Sequence, residues 1–259
     1  TNYNAPKKTS NPLIGKSITA ITMGVTHACA IANADLYCWG DNGNGKLGTG
    51  NYTSYNAPQL INTGTANSPR GPNNVLPSLS AVSAGSDFTC AIINATVSCW
   101  GNNANGRTGQ NTTAATDTLT PTALKGAAGG YYATSISAGS SHACALLNGG
   151  SSKTNGNMYC WGDGGDGRLG YNATTARSSA SVAIISGDMN ESGEIRSATA
   201  ISAGAKTSCA IANAVILCWG DGSSGQLGTG SPPTANSLTP LKTTVYQVPS
   251  SSYALGPIF

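Results

Sequence analysis

Eight cysteines are the residues of this 259-residue chain whose type and spacing are best suited to chemistry. They form four pairs, and the second member of each pair begins a Cys-Trp-Gly segment. The pairs are Cys29 and Cys38, Cys90 and Cys99, Cys144 and Cys160, and Cys209 and Cys218. Disulfide bonds, free thiol pairs and zinc ligation are the alternatives. Because zinc needs four converging ligands with closer spacing, we expect four disulfides.

The residues between the cysteines predict the β-hairpins that would position them. In three copies an apolar run ends at Asn-Ala, and Asn tolerates the positive φ of a two-residue hairpin turn. These turns are expected at 33–34, 94–95 and 213–214. With that turn, Cys29 stands opposite Cys38 at a non-hydrogen-bonded position, with Cα atoms about 4.5 Å apart, which a disulfide accepts. A longer loop, from Asn148 to Asn157, replaces the tight turn in the third copy.

The hairpins belong to an internal repeat of four copies. The tryptophans of the Cys-Trp-Gly segments are 61, 61 and 58 residues apart. Each Trp-Gly is followed by a turn with glycines at two fixed positions, which are Gly45 and Gly48, Gly106 and Gly109, Gly167 and Gly170, and Gly225 and Gly228. A unit of this size cannot bury its apolar face alone, so copies stack on one another. We therefore predict an all-β, propeller-like array.

Composition limits the classes of function. Charged residues make up 9% of the chain, against about 25% in ordinary soluble proteins. No basic run exceeds Lys7-Lys8, so the electrostatic footprint of a nucleic-acid-binding protein is missing. No apolar stretch reaches the length of about 18 residues that spans a membrane. Disulfides persist in oxidising compartments, which predicts an extracellular or cell-surface location.

The repeat resembles that of the regulator of chromosome condensation family, from about Ile14 to Gly230. The resemblance rests on apolar-x-x-Gly-x-x-His-x-Cys-Ala-Leu followed by Trp-Gly-x-Asn-x-x-Gly-x-Leu-Gly. It implies a β-propeller with four-stranded blades, and well-known members have seven repeats. Four complete repeats make a partial or open propeller an alternative here. The nuclear exchange-factor activity of the family is not expected, because the chain lacks a basic tail and its cysteine pairs indicate another compartment.

The family histidine is present in only two of the four copies. His27 and His142 occupy this position, whereas Phe88 and Thr207 replace it in the other copies. A position that alternates among these residue types indicates packing or local hydrogen bonding rather than catalysis.

Three regions are predicted: an extended arm at 1–13, the four-repeat domain at 14–230, and a surplus strand with a second arm at 231–259. The first residue is Thr, which we interpret as the mark of a processed or trimmed product. Segments with Pro and apolar residues, such as those at Pro58 and Pro121, are expected to lead into each repeat. The segment at Pro240 follows the last Trp-Gly. It would close a ring, be the stub of a longer protein, or pair with a neighbouring subunit in a polymer.

No catalytic, cofactor-binding or metal-binding residues are predicted, and the protein is not expected to be an enzyme. The two glutamates, Glu191 and Glu194, lie with Asp188 in a variable insertion that is typical of a solvated loop. Carboxylates in the glycine-rich turns lack the count and terminal Glu of a calcium loop, so we interpret them as turn caps. They are Asp41, Asp163, Asp166 and Asp221.

Two further sets of residues are candidate sites. N-glycosylation sequons occur at Asn51, Asn111, Asn172 and Asn190, and a fifth, at Asn94, lies in a tight turn that disfavours modification. Five tyrosines are candidates for a protein contact surface: Tyr52, Tyr55, Tyr131, Tyr132 and Tyr171.

We predict a non-enzymatic exported protein with a structural or adhesive role, as a subunit of an extracellular filament or appendage. Its partners would be proteins, including copies of itself, and not nucleic acid. The alternative is a secreted, inhibitor-like propeller that binds proteins through its loop face.

Overall fold

A computed structural model describes residues 13–63, 78–125, 131–149, 157–179, 197–230 and 235–243. Within these ranges the chain is all-β, with 15 strands in four antiparallel sheets and two short 3₁₀ turns at Ala104–Gly106 and Gly165–Gly167. In these ranges no helix has the length and apolar character needed to cross a membrane. Residues 1–12 and 244–259 of the predicted arms, Asn190, and the insertion with Asp188, Glu191 and Glu194 lie outside the described residues.

Each sheet is one repeat, here called blades 1 to 4. Blade 1 has strands β1 (Ile18–Met23), β2 (His27–Ala32), β3 (Asp35–Gly40) and β4 (Tyr55–Leu60). Blade 2 has β5 (Leu79–Ala84), β6 (Phe88–Ile93), β7 (Thr96–Gly101) and β8 (Thr118–Ala123). Blade 3 has β9 (Tyr131–Ala138), β10 (His142–Gly149) and β11 (Asn157–Gly162), and blade 4 has β12 (Ala198–Ala203), β13 (Thr207–Ala212), β14 (Val215–Gly220) and β15 (Ser237–Lys242).

The predicted hairpins and their disulfides are present in all four blades. Both residues of each two-residue turn have positive φ, for example 50° at Asn33 and 63° at Ala34. The resulting register places Cys29 opposite Cys38, and the longer loop of blade 3 still places Cys144 opposite Cys160. Each of the four pairs is a disulfide with its Cα atoms 4.1 Å apart. No described cysteine is free.

Successive blades pack face to face and share their cores. Three apolar clusters lie between blades 1 and 2, 2 and 3, and 3 and 4, and each contains the tryptophan of its second blade. Trp100, Trp161 and Trp219 are fully buried in this way. The first strands of the blades, β1, β5, β9 and β12, lie next to one another. The turns that follow them line a cavity of about 340 Å³.

The prediction that proline-containing segments lead into the next repeat is wrong. Pro58, Pro121 and Pro240 lie in β4, β8 and β15, which are the last strands of their own sheets. Proline removes a hydrogen-bond donor and is therefore tolerated on edge strands. The segment counted as surplus is the partner of β14, with Cys218 opposite Leu241. Blade 4 thus extends to Lys242, beyond the predicted boundary at residue 230.

Candidate protein-interaction surfaces

A repeated hydrogen bond joins the inner strands of neighbouring blades. The hydroxyl of Thr22 accepts a hydrogen bond from the backbone N–H of Ala84, at 3.0 Å. Equivalent bonds of 2.9 Å join Ser83 to Ala138 and Ser137 to Ala203. One hydroxyl per blade therefore satisfies a backbone donor of the next blade.

The tryptophan of each Cys-Trp-Gly segment anchors its blade to the preceding one. The indole Nε1 of Trp100 donates to the backbone carbonyl of Lys46 at 2.9 Å. The same bond joins Trp161 to Arg107 at 3.0 Å and Trp219 to Arg168 at 2.9 Å. Because a buried indole N–H needs an acceptor, the carbonyl of the glycine-rich turn fixes the spacing between blades.

The family histidine extends this anchor. The Nε2 atom of His27 lies 2.8 Å from Oγ1 of Thr89, which donates its single proton to the Lys46 carbonyl. Nε2 must therefore carry the proton, and Nδ1 is a buried acceptor without a partner among the described residues. The same arrangement recurs between blades 3 and 4, through His142, Ser208 and Arg168.

Burial and nearby positive charge keep both imidazoles neutral. Burial, aided by the charge of Lys46, lowers the pKa of His27 to about 4. Burial and Arg168 lower the pKa of His142 to about 3. These histidines are parts of the packing between blades, as their alternation in sequence predicted.

The blade interface that lacks a histidine also lacks the hydroxyl. Phe88 occupies the histidine position of blade 2, and Ala143 of blade 3 occupies the position of Thr89; both lie in the shared cluster. Sequence reasoning recognised the histidine position but missed Thr89 and Ser208. The signal that could have found them is that the two positions change together. Where one blade has His, the next blade has Thr or Ser at the position after its own histidine position, and where one blade has Phe, the next blade has Ala there.

Buried cations join the glycine-rich turns to neighbouring groups. The Nζ atom of Lys46, whose side chain is 2% exposed, lies 2.7 Å from Asp41 and 2.9 Å from Asp87 of the next blade. Burial acts to lower the pKa of Lys46, but its bonds to these two carboxylates raise it above the ordinary value. Arg168 similarly binds Asp163 and Asp166, at 3.2 and 2.8 Å. Sequence analysis did not single out either cation.

The carboxylates of the glycine-rich turns have the predicted capping role. Asp41, Asp163 and Asp221 each accept a hydrogen bond from the backbone N–H two residues later, at 3.0 to 3.3 Å. Asp166 differs, because it lies within the 3₁₀ turn and pairs with Arg168. The described residues contain no cluster of three metal-ligating side chains.

The candidate tyrosines are divided between blades 1 and 3. Tyr55 packs against the cluster between blades 1 and 2, and Tyr171 is buried between blades 3 and 4, with Arg177 over its ring. Tyr52 and Tyr132 are the exposed ones, at 54% and 47%. The side chain of Tyr131 lies outside the described atoms.

The described candidate glycosylation residues have different surroundings. Asn111 and Asn172 are exposed, and each uses positive φ in a turn that contacts the next blade. Asn51 is half-buried, and its side chain accepts a hydrogen bond from the backbone of Thr53 at 2.8 Å. Their use as glycosylation sites stays a prediction.

Blades 1 and 4, at the two ends of the array, each have one sheet face whose equivalents in the other blades contact a neighbouring blade. We define the blade-4 face by Ala200, Ser202, Ile211, Ile216 and Gln226, which occupy the positions that the following blade covers in blades 1 to 3. Ile211 is 40% exposed, whereas its equivalent in blade 1, Ile31, is 2% exposed. An apolar groove of about 220 Å³ lies along Ile211 and Ile216.

We define the blade-1 face by Ile18, Ile21, Met23 and Trp39, whose equivalents contact the preceding blade. Ile21 and Met23 are 68% and 74% exposed. Trp39 is half-buried, unlike the other three tryptophans. Ile18, Ile21, Met23, Ile211 and Ile216 of these two faces are among the exposed large apolar side chains of the described residues.

Comparison with known proteins identifies the repeat. Residues 33–92 and 96–146 match the sequence model for "Regulator of chromosome condensation (RCC1) repeat". The chain therefore carries RCC1-type repeats over these residues. It is 27% identical, over 228 residues, to the probable E3 ubiquitin-protein ligase HERC4 of rat, mouse and human. That alignment covers 86% of this chain but only 19% of the ligases.

Solved structures share the fold. Human WBSCR16 aligns with a TM-score of 0.70 and 18% identity, over 90% of this chain and 54% of its own. Yeast RCC1 (Prp20), in a structure bound to Kap60, aligns with a TM-score of 0.67 and 16% identity, over 92% and 51% of the two chains. This chain thus spans about half of each of these two solved chains.

Proposed function

We propose that this chain is an exported, non-enzymatic structural protein that assembles through its blades into an extracellular filament or appendage, with an adhesive role at the cell surface. The observation that carries the proposal is the exposed apolar side chains on two different blade faces at opposite ends of one array. A contact between two different faces is heterologous, and such contacts generate rings or open filaments. An apolar sheet surface exposed in this way marks an interaction site.

The extracellular part of the proposal is supported by the disulfides. All eight cysteines are paired within their own hairpins, and cytosolic proteins rarely keep such bonds. The ligase activity in the name of the curated relatives is not proposed, because the chain matches only 19% of their length.

Electron microscopy of the purified, oxidised full-length protein tests the proposal. We expect linear assemblies whose abundance increases with protein concentration, and surface labelling of intact cells by an antibody against the protein. Isolated monomers at millimolar concentration would reject a filament. Reduced thiols in protein taken directly from cells would reject the extracellular location.

A second candidate is a secreted protein-binding propeller that acts through its loops. It is favoured by the solved structure of yeast RCC1, in which that protein is bound to Kap60. Size-exclusion chromatography with light scattering separates the candidates, because a binding propeller of this kind would elute as a single chain at all concentrations.

A further inference from the structure

We propose that the blade-4 face of one copy binds the blade-1 face of a second copy and reproduces the contact that joins successive blades within the chain. This inference rests on the proposed assembly function and names its interface. Its template is a contact that the chain makes three times with the same residue positions.

The polar groups of the two faces match that template. In the contact between blades 1 and 2, the Ala84 N–H donates to the Thr22 hydroxyl. Ser202 of blade 4 is equivalent to Thr22, and Met23 of blade 1 is equivalent to Ala84. A second copy would therefore bring together the Ser202 hydroxyl as acceptor and the Met23 N–H as donor. In the same way, the carbonyl of Gln226, an exposed residue, is equivalent to that of Lys46, and the Trp39 indole to that of Trp100.

A third donor and acceptor lie at the outer strand. Gly50 donates its backbone N–H to the carbonyl of Leu119 in the next blade, at 2.9 Å. Asn111 and Asn172 make the same bond to Ser178 and Leu238, at 2.8 and 3.0 Å. The corresponding N–H of blade 4 is that of Gly230, which shares their positive φ. The corresponding carbonyl of blade 1 is that of Asn56.

The apolar side chains are complementary as well. Between blades 1 and 2, Ile31 and Leu36 share a cluster with Leu79 and Val82. Their equivalents on the free faces are Ile211 and Ile216 of blade 4 and Ile18 and Ile21 of blade 1. These are four of the exposed large apolar side chains of the described chain, at 40%, 49%, 47% and 68%.

The small and charged positions fit without conflict. Blade 4 has Thr207 at the histidine position, and blade 1 has Ala28 where Thr89 supports a histidine. At these positions the proposed contact therefore resembles the interface between blades 2 and 3, which lacks both the histidine and its hydroxyl partner. Gln226 stands at the position of Lys46, and Thr26 at that of its partner Asp87, so no unpaired charge would be buried.

A second copy is the occupant that this geometry favours. A blade of this chain takes about 60 residues, as the tryptophan spacing shows. A second copy supplies a complete one with the matching positions.

Two single substitutions test the interface, each placing a charge on one face. Ile21→Glu disables the blade-1 face and Ile216→Glu disables the blade-4 face. Because both side chains are exposed in the single chain, we expect both variants to fold. An unpaired charge in the contact costs several kcal/mol, so we expect at least about a hundredfold weaker self-association of either variant. Tyr132→Glu, at an exposed tyrosine of blade 3, whose two neighbours are present, is the matched control and should assemble normally.

Mixing the two variants gives the decisive result. Each retains one intact face, and the intact faces are different, so an equimolar mixture should form heterodimers that grow no further. Light scattering and native mass spectrometry measure this. Persistence of wild-type-like assemblies in either variant, monomers in the mixture, or a monomeric wild-type chain would overturn the inference.

The same measurements distinguish this inference from the proposed function. If both variants still form filaments, the filament proposal stands and this interface is rejected. Closed dimers of the wild-type chain that both substitutions dissociate would keep the interface and reject the filament.

Discussion

At the scale of single residues, the hairpin turns contain alanines in a conformation that disfavours them. Ala34, Ala95 and Ala214 have φ of 63°, 60° and 61°. The left-handed region costs an L-residue about 1–2 kcal/mol, whereas glycine adopts it freely but loses more entropy on folding.

We therefore expect Ala34→Gly to raise the free energy of unfolding by about 0.5 kcal/mol. Chemical denaturation of the oxidised protein measures this. The matched control is Ala57→Gly in strand β4, where φ is ordinary and the same change should lower stability by about 0.5–1 kcal/mol. Equal signs for the two substitutions would contradict the turn argument.

The two buried histidines make stability depend on pH. Their pKa values are lowered to about 4 for His27 and about 3 for His142, below the ordinary value near 6.5. As pH falls below about 6.5, the unfolded chain binds protons that the folded chain does not, so stability decreases. Carboxylates with lowered pKa, such as Asp41 and Asp221, change the free energy of unfolding only below about pH 4.

We expect the free energy of unfolding to fall by a few kcal/mol between pH 7 and pH 4.5. Urea denaturation at fixed ionic strength across this window measures the loss. Replacing both histidines with Phe, and their partners Thr89 and Ser208 with Ala, should flatten the profile. A profile that is equally steep in this variant would assign the pH dependence to other groups.

At the scale of elements, the His and hydroxyl positions behave as one unit across a blade interface. The interface between blades 2 and 3 shows the alternative unit, Phe88 with Ala143. Converting the first interface to the alternative, with His27→Phe and Thr89→Ala together, should therefore cost less than the sum of the two single changes.

The expected coupling energy is about 1–2 kcal/mol, as measured for neighbouring residues in one network. His27→Phe alone leaves the Thr89 hydroxyl without its histidine donor, and Thr89→Ala alone leaves a buried imidazole N–H unpaired. A double-mutant cycle in denaturant gives the coupling energy. Additive effects would show that the two positions are independent.

The sequence predicted the hairpins well because their information is local. Asn33 and Ala34 set the turn, the turn sets the register, and the register brings Cys29 and Cys38 together. The partners across blades could not be predicted in this way, because Lys46 and Asp87 are 41 residues apart. Pro240 was misplaced for a related reason, since an outer strand can be assigned to the blade before it or after it from sequence alone.

At the scale of the whole molecule, the array differs from a closed ring in having two unlike ends. Blades 1 to 3 each have a following blade on one face, and the equivalent surface of blade 4 holds an apolar groove. Each shared cluster contributes to stability as a nearest-neighbour term in a stacked repeat protein. Blades 1 and 4 lack one such term each, so they are expected to be the least stable blades of an isolated chain.

Assembly should therefore stabilise the fold, and the melting temperature should depend on protein concentration. Binding to the folded state alone adds RT ln(1 + [L]/Kd), so each tenfold rise in concentration above Kd adds about 1.4 kcal/mol. For a chain of this size that raises Tm by about 3–6 °C per tenfold step. Differential scanning calorimetry of the oxidised protein over a hundredfold concentration range measures the slope. Ile21→Glu and Ile216→Glu should each abolish the slope, and Tyr132→Glu should keep it. A wild-type Tm that does not change with concentration would show that the terminal blades gain nothing from a second copy.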